Sequence, residues 1–108
     1  SGQQQMVSLS RALITDPKMI IADEPTGNLD YRTGSRLIGM LKDINDSGKT
    51  IIMVTHDLEY LEYADLCIKL LNGEVQKIFS PKEDKKEMKN VNIKKELYEK
   101  ITKENNKN

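Results

Sequence analysis

The apolar run Met19-Ile20-Ile21-Ala22 stops at two adjacent carboxylates, Asp23 and Glu24, and passes directly into Pro25-Thr26-Gly27-Asn28-Leu29-Asp30. A short unbroken stretch of strand formers has the pattern of a strand buried on both faces of a parallel sheet. Such a strand delivers its last residues to the carboxyl edge of the sheet, where open α/β folds gather ligands. The layout recurs, because Ile51-Ile52-Met53-Val54 runs apolar and then releases Thr55-His56-Asp57. Asp23, Glu24 and His56 are therefore expected to converge on one edge. That trio suits a nucleotide site, in which one acid holds a hard divalent cation and the next activates water.

The flanking segments fit the same architecture. Gln3 to Ile14 reads as a helix with Met6, Leu9, Leu13 and Ile14 on its apolar stripe, stopped by Asp16-Pro17. Asp30 is positioned to N-cap a second helix whose inward face is Leu37, Ile38, Leu41 and Ile44, with Gly48 just past its end. Leu58 to Tyr63 reads as a short helix. Leu66 to Leu71 and Glu74 to Phe79 flank Asn72-Gly73, a strong hairpin signal. This alternation predicts an α/β fold: parallel strands with crossover helices, and a C-terminal β-hairpin as an antiparallel edge.

Charge divides the chain in two. Residues 1–81 carry 8 Lys/Arg against 11 Asp/Glu, whereas residues 82–108 carry 9 Lys against 6 Asp/Glu. A mildly acidic body with a basic tail argues against nucleic acid as a partner, since a binder concentrates basic residues on its folded part. Ser80-Pro81 is expected to close that part. Beyond it the composition turns to Lys, Glu and Asn, and Val91, Ile93, Leu97, Tyr98 and Ile101 form one weakly amphipathic stretch. The expectation there is a solvated tail with a marginal helix, the alternative a docking helix for a partner. Cys67 stands alone, so the chain contains no internal disulfide and suits a reducing compartment. No apolar run approaches the roughly 20 residues of a membrane span, and no signal peptide is recognisable. The first residue is Ser, which suggests a cut edge.

The chemistry of each candidate follows from its type. Mg²⁺ prefers oxygen ligands and is often held by one carboxylate plus substrate phosphates, a duty that Asp23 can meet. Glu24, one residue on, points elsewhere, toward where an attacking water would sit. The plainer alternative is a polar turn after a core strand. His56 is the only histidine. Between a hydroxyl and an acid at a strand end, its imidazole can donate to charge developing on a phosphate. Ser1-Gly2-Gln3 opens a helix, and helix N-termini present unpaired N–H groups to anions.

The order S-G-Q-Q-Q-x-V-x-x-x-R-A-L, then I-I-A-D-E-P-T-G-N-L-D, then I-I-M-V-T-H-D resembles the ATP-binding-cassette (ABC) ATPases from Ser1 to about Ser80. It is most similar to the branch serving lipoprotein release, macrolide and peptide export, and cell division. The resemblance implies a partial P-loop NTPase fold, with residues 1–81 as the C-terminal part of the ATPase domain and 82–108 as a tail or linker. It implies ATP and Mg²⁺ as cofactors, Asp23 as the Walker B residue on Mg²⁺, Glu24 as general base and His56 as the switch histidine. Ser1, Gly2 and Gln3 would end the signature loop, its leading Leu-Ser absent here and Ser1 on a glycine position. Asn28, Leu29 and Asp30 would form the D-loop at a dimer interface. The implied partners are a second ATPase subunit and a membrane permease, placing the protein on the cytoplasmic face of the membrane. The glycine loop with its Lys, the adenine-stacking aromatic and the Q-loop are not in this chain, so it is expected to be inactive alone. Two other readings stay open: a non-catalytic remnant that only binds a partner, and an ABC ATPase unconnected with transport.

Overall fold

A computed structural model describes residues 2–106 of the chain. The chain divides into two compact units, residues 1–57 and 58–108.

The first unit runs α1 (Gly2–Ile14), β1 (Met19–Asp23), α2 (Tyr31–Asp46), β2 (Thr50–Val54). Leu9 of α1 is buried and Met6 and Leu13 are half-buried, but Ile14 is 82% exposed. As the last residue of the helix it falls outside the covered face, contrary to the expected stripe. The chain turns at Asp16, whose N–H donates to the Leu13 carbonyl at 2.9 Å. Lys49 ties this turn to the start of β2, with its ammonium on the Asp16 carboxylate and on the Pro17 carbonyl at 2.9 Å. That contact and the Thr50 N–H on the Lys18 carbonyl (2.9 Å) start the parallel ladder. Its register pairs Met19 with Thr50 and Asp23 with Val54.

The crossover helix α2 begins as the sequence requires. The Asp30 carboxylate accepts the Thr33 N–H at 2.8 Å and the Thr33 hydroxyl at 3.1 Å. Those donors hold its carboxyl below the usual carboxylate range. Leu37, Ile38 and Leu41 are buried and Ile44 half-buried, while Gly48 takes φ 109° just past the end. Helix α2 packs on α1 and on β2, covering one face of the strand pair.

The other face is open, which corrects the expectation of strands buried on both sides. Ile20 is buried, yet Ile21 is 70% exposed and Met19, Ile52 and Val54 are about half exposed. The sheet has two strands, and the alternation of side chains sends every second apolar residue to the uncovered side. Covering the exposed part of Ile21 or Ile52 would be worth a fraction of the roughly 1.5–3 kcal/mol of a fully buried side chain, more for Ile21 than for Ile52.

The second unit begins with a 3₁₀ segment, Leu58–Tyr63, followed by β3 (Cys67–Leu71), β4 (Glu74–Phe79) and α3 (Lys85–Asn106). Asn72 (φ 52°) and Gly73 (φ 77°) form the predicted turn, where left-handed backbone at both positions matches the twist of a hairpin. Pairing steps from Lys69–Lys77 to Leu70–Val75, leaving Gln76 as a bulge. The hairpin is a separate two-stranded sheet and not the antiparallel edge of the first.

Among the described residues, 82–106 depart furthest from the sequence expectation. Ser80–Pro81 does not close the folded part. The Ser80 carbonyl accepts the Asp84 N–H at 2.8 Å, and Asp84 in turn accepts the Glu87 N–H at 3.0 Å and caps α3. Val91 is then buried with Cys67 and Phe79, and Leu58, Leu61, Ala64 and Met88 pack around them. Lys77 on β4 reaches Glu87 at 3.1 Å and Asp84 at 3.8 Å, anchoring the first turn of the helix. Further along α3, Ile93, Leu97 and Ile101 are exposed, and the Tyr98 side chain lies outside those described. No helix among the described residues is long and apolar enough to cross a membrane.

Candidate functional site at the carboxyl edge of the parallel strands

The two strand ends are joined at Glu24. Its N–H donates to the Val54 carbonyl at 2.7 Å, one step past the last ladder pair. At that point the backbone turns left-handed, with φ 47° at Glu24. This conformation is uncommon for a residue with a long side chain. Such strain persists where surrounding contacts hold it, and functional sites are frequent hosts. The chain then folds tightly back, the Gly27 N–H donating to the Glu24 carbonyl at 3.0 Å. A Cβ at Gly27 would lie 3.2 Å from that same carbonyl oxygen, so any residue but glycine requires that carbonyl to give way. Pro25 and Thr26 are buried beneath the turn.

The Glu24 carboxylate is held from the β2 side. Oε1 accepts the His56 backbone N–H at 2.9 Å and also contacts His56 Nδ1. Oε2 accepts the Thr55 hydroxyl at 3.3 Å, and that hydroxyl accepts the Asp57 N–H at 2.9 Å. The His56 side chain is 98% exposed and that of Glu24 35% exposed, so water reaches both. Oε2 has lone-pair capacity left for a further donor, whereas Oε1 is filled by its two His56 contacts when Nδ1 donates. A neutral imidazole that donates from Nδ1 keeps Nε2 as an acceptor; protonated, it donates from both nitrogens. The carboxylate can thus take a water proton, and the imidazole, when it carries protons on both nitrogens, can donate from Nε2 to an anion.

The remaining candidates are distributed around this pair. Asp23 closes β1 opposite Val54 and is exposed. A single exposed oxygen-donor carboxylate at a strand end fits Mg²⁺, which completes its shell with water and phosphate oxygens. Among the described residues no three His, Cys, Asp or Glu side chains form a metal cage. Asn28 is exposed with φ 65°, Leu29 is half-buried, and Asp30 is engaged as the cap of α2. Gly2 and Gln3 occupy the first turn of α1, where Gln3 borders an open depression with Gln4, Val7, Ser8 and Arg11. Ser1 lies outside the described residues. A cavity of about 470 Å³ lies elsewhere, between the hairpin and α3, and includes none of the motif residues.

Thr55 is the participant that sequence reasoning missed. Its signal was available: a Thr two residues before an N–H that its own hydroxyl can accept, at the end of a strand.

A β1–α2–β2 crossover with an acid pair and an imidazole at its carboxyl edge defines an open α/β scaffold of the kind that binds ligands there. Comparison with known proteins makes the class specific. The family model described as "ABC transporter" matches residues 1–27. An uncharacterized ABC transporter ATP-binding protein of Methanocaldococcus jannaschii is 52% identical over 79 residues, covering 73% of this chain and 35% of that protein. The macrolide export ATP-binding/permease protein MacB of Chlorobaculum tepidum is 50% identical over 74 residues, covering 68% of this chain and 11% of its own length. Among solved structures, the M. jannaschii cassette MJ0796, a post-hydrolysis dimer bound to ADP and Pi, matches with a TM-score of 0.67. Identity there is 41%, covering 73% of this chain and 34% of that one. The chain belongs to the ABC transporter ATP-binding family. It spans about a third of the length of the M. jannaschii relatives and about a tenth of MacB.

Proposed function

We propose that this chain supplies the hydrolytic edge of an ATP-hydrolysing cassette, which works as a dimer with a second ATPase subunit and drives transport through a membrane permease. The observation that carries the proposal is the Glu24 carboxylate, fixed across the two strand ends by the His56 N–H, its Nδ1 and the Thr55 hydroxyl. Glu24 accepts the proton of the attacking water. His56 donates to charge on the terminal phosphoryl oxygens, an interaction that strengthens as the transition state forms. Asp23 would hold Mg²⁺, which when bound neutralises phosphate charge. Gly2 and Gln3, at the N-terminus of α1, and Ser1 before them would meet nucleotide phosphate from the partner subunit. Asn28, Leu29 and Asp30 would meet that subunit at the dimer interface. The dimeric cassette MJ0796 and the fused permease named in MacB support both partnerships. In this reading the protein sits on the cytoplasmic face of the membrane, beside its permease.

The test is a chimera in which residues 1–80 replace the matched segment of MJ0796. Glu24→Gln in that chimera lowers steady-state phosphate release by about 10²–10⁴-fold while ATP still binds, because the amide is isosteric and cannot take the proton. His56→Ala lowers kcat more than it weakens ATP affinity. Phosphate release by the Glu24→Gln chimera at the unsubstituted rate would remove Glu24 from the base role and favour a partner-binding remnant.

A further inference from the structure

We infer that Thr55 is the positioning residue for the Glu24 carboxylate, an inference that rests on the hydrolytic reading above. A hydroxyl has one proton and two lone pairs. The Thr55 oxygen accepts the Asp57 N–H at 2.9 Å, which fixes the orientation of its lone pairs. Its single proton is then directed at Glu24 Oε2, 3.3 Å away. The carboxylate is gripped at both oxygens by consecutive residues of the same strand end, Oε2 by the Thr55 side chain and Oε1 by the His56 backbone.

Donors on both oxygens fix the plane of a carboxylate more firmly than contacts on one, because its last torsion is broad and shallow in isolation. Without the Thr55 proton, Glu24 would be held only by the His56 contacts on Oε1, and its Oε2 would lose its fixed direction. The half-buried setting of Thr55, against an exposed His56, suits this division of labour. The hydroxyl also links Glu24 to Asp57, so the start of the segment after β2 and the carboxylate are set by one atom. In this inference Thr55 acts through Glu24.

The 108-residue chain itself provides the first test. In Thr55→Val the side-chain carboxyl carbon of Glu24 shifts in the NMR spectrum and the His56 amide exchanges about 10-fold faster, the order expected for losing a hydrogen bond to a charged group. Thr55→Ser, which keeps the hydroxyl, restores both signals. A Glu24 carboxyl signal that is identical in the wild type and Thr55→Val overturns the inference. In the chimera with MJ0796, Thr55→Val lowers kcat about 10-fold with KM for ATP unchanged, and Thr55→Ser recovers the rate. Equal kcat for Val and Thr overturns the positioning role even where the contact exists. A chimera without ATPase activity before any change at Thr55 strikes the hydrolytic reading instead, and the Glu24 carboxyl signal then decides the contact alone.

Discussion

The two units of this chain place their polar ties differently. Residues 2–57 bury Leu9, Ile20, Leu37, Ile38 and Leu41, and tie the ends of β1 and β2 with polar contacts: Lys49 on Asp16 and Pro17 at one end, Glu24 on Thr55 and His56 at the other. The apolar side chains of β1 and β2 are covered on one face only. Residues 58–106 centre instead on a three-residue apolar cluster of Cys67, Phe79 and Val91, with one lysine, Lys77, bridging β4 to the first turn of α3. The candidate site lies in the unit with the open sheet, where hydrogen bonds across the two strand ends set the direction of the Glu24 carboxylate.

The largest expected effect that separates the units is on stability. Val91→Ala should destabilise residues 58–106 by about 1–3 kcal/mol, the range for removing buried methyl groups from a small cluster. Hydrogen exchange should show amides of β3 and β4 losing protection while those of β1 and β2 keep theirs. Equal loss in both regions would mean that the units fold as one and would break the comparison. Deleting residues 82–108 removes Val91 and Met88 together, and should expose Cys67 to thiol reagents, since the burial that pushes its thiol up is then gone.

A smaller effect comes with acid. The Lys49 ammonium beside Asp16 holds that carboxyl below its usual range, and the Thr33 donors do the same for Asp30. Groups whose folded pKa is depressed contribute stability above the unfolded value of about 3.9, which is lost as pH falls through the folded value. The ties of the first unit therefore weaken below about pH 4. Lys49→Met should remove the Asp16 share of this dependence. Both carboxylates are exposed, so added salt should blunt the response. The second unit responds differently at the alkaline end. Lys77 is raised by Glu87, and its contribution fades as pH climbs through its folded value; Lys69 is lowered by Lys94, and its loss of charge relieves repulsion. The two oppose each other. Melting curves at pH 3, 4 and 6 for the wild type and the Met variant sharpen the contrast, and an acid response untouched by Lys49→Met would contradict it.

What was legible in the sequence was local. Asp30 and Thr33 are three residues apart, and Asn72-Gly73 carries its turn in its own backbone preference, so both were readable from neighbours. Asp23, Glu24 and His56 were readable because apolar runs mark where strands end. The helix from Lys85 was harder, since its anchors Val91 and Met88 sit in a Lys/Glu/Asn background and their partners, Cys67 and Phe79, are distant in sequence. Nothing in the run Met19–Ala22 distinguishes a strand covered on both faces from one covered on one, because the layer on the second face is not encoded by the strand itself. Thr55 escaped notice for a similar reason: a hydroxyl matters through the partner it meets, and Glu24 lies 31 residues away.

We propose that this chain holds the hydrolytic residues of a cassette apart from the groups that cradle nucleotide phosphates. Phosphate charge in P-loop folds is held by glycine-loop amides and a Lys, and the 108 residues contain no such loop. Under the proposed function Asp23 and Glu24 would place like charge toward a triphosphate. Isothermal titration of the purified chain with Mg-ATP is the direct measurement. No binding in the micromolar range is predicted for the chain alone, alongside binding by the chimera with MJ0796; micromolar affinity of the chain alone, with release of phosphate, would contradict the claim.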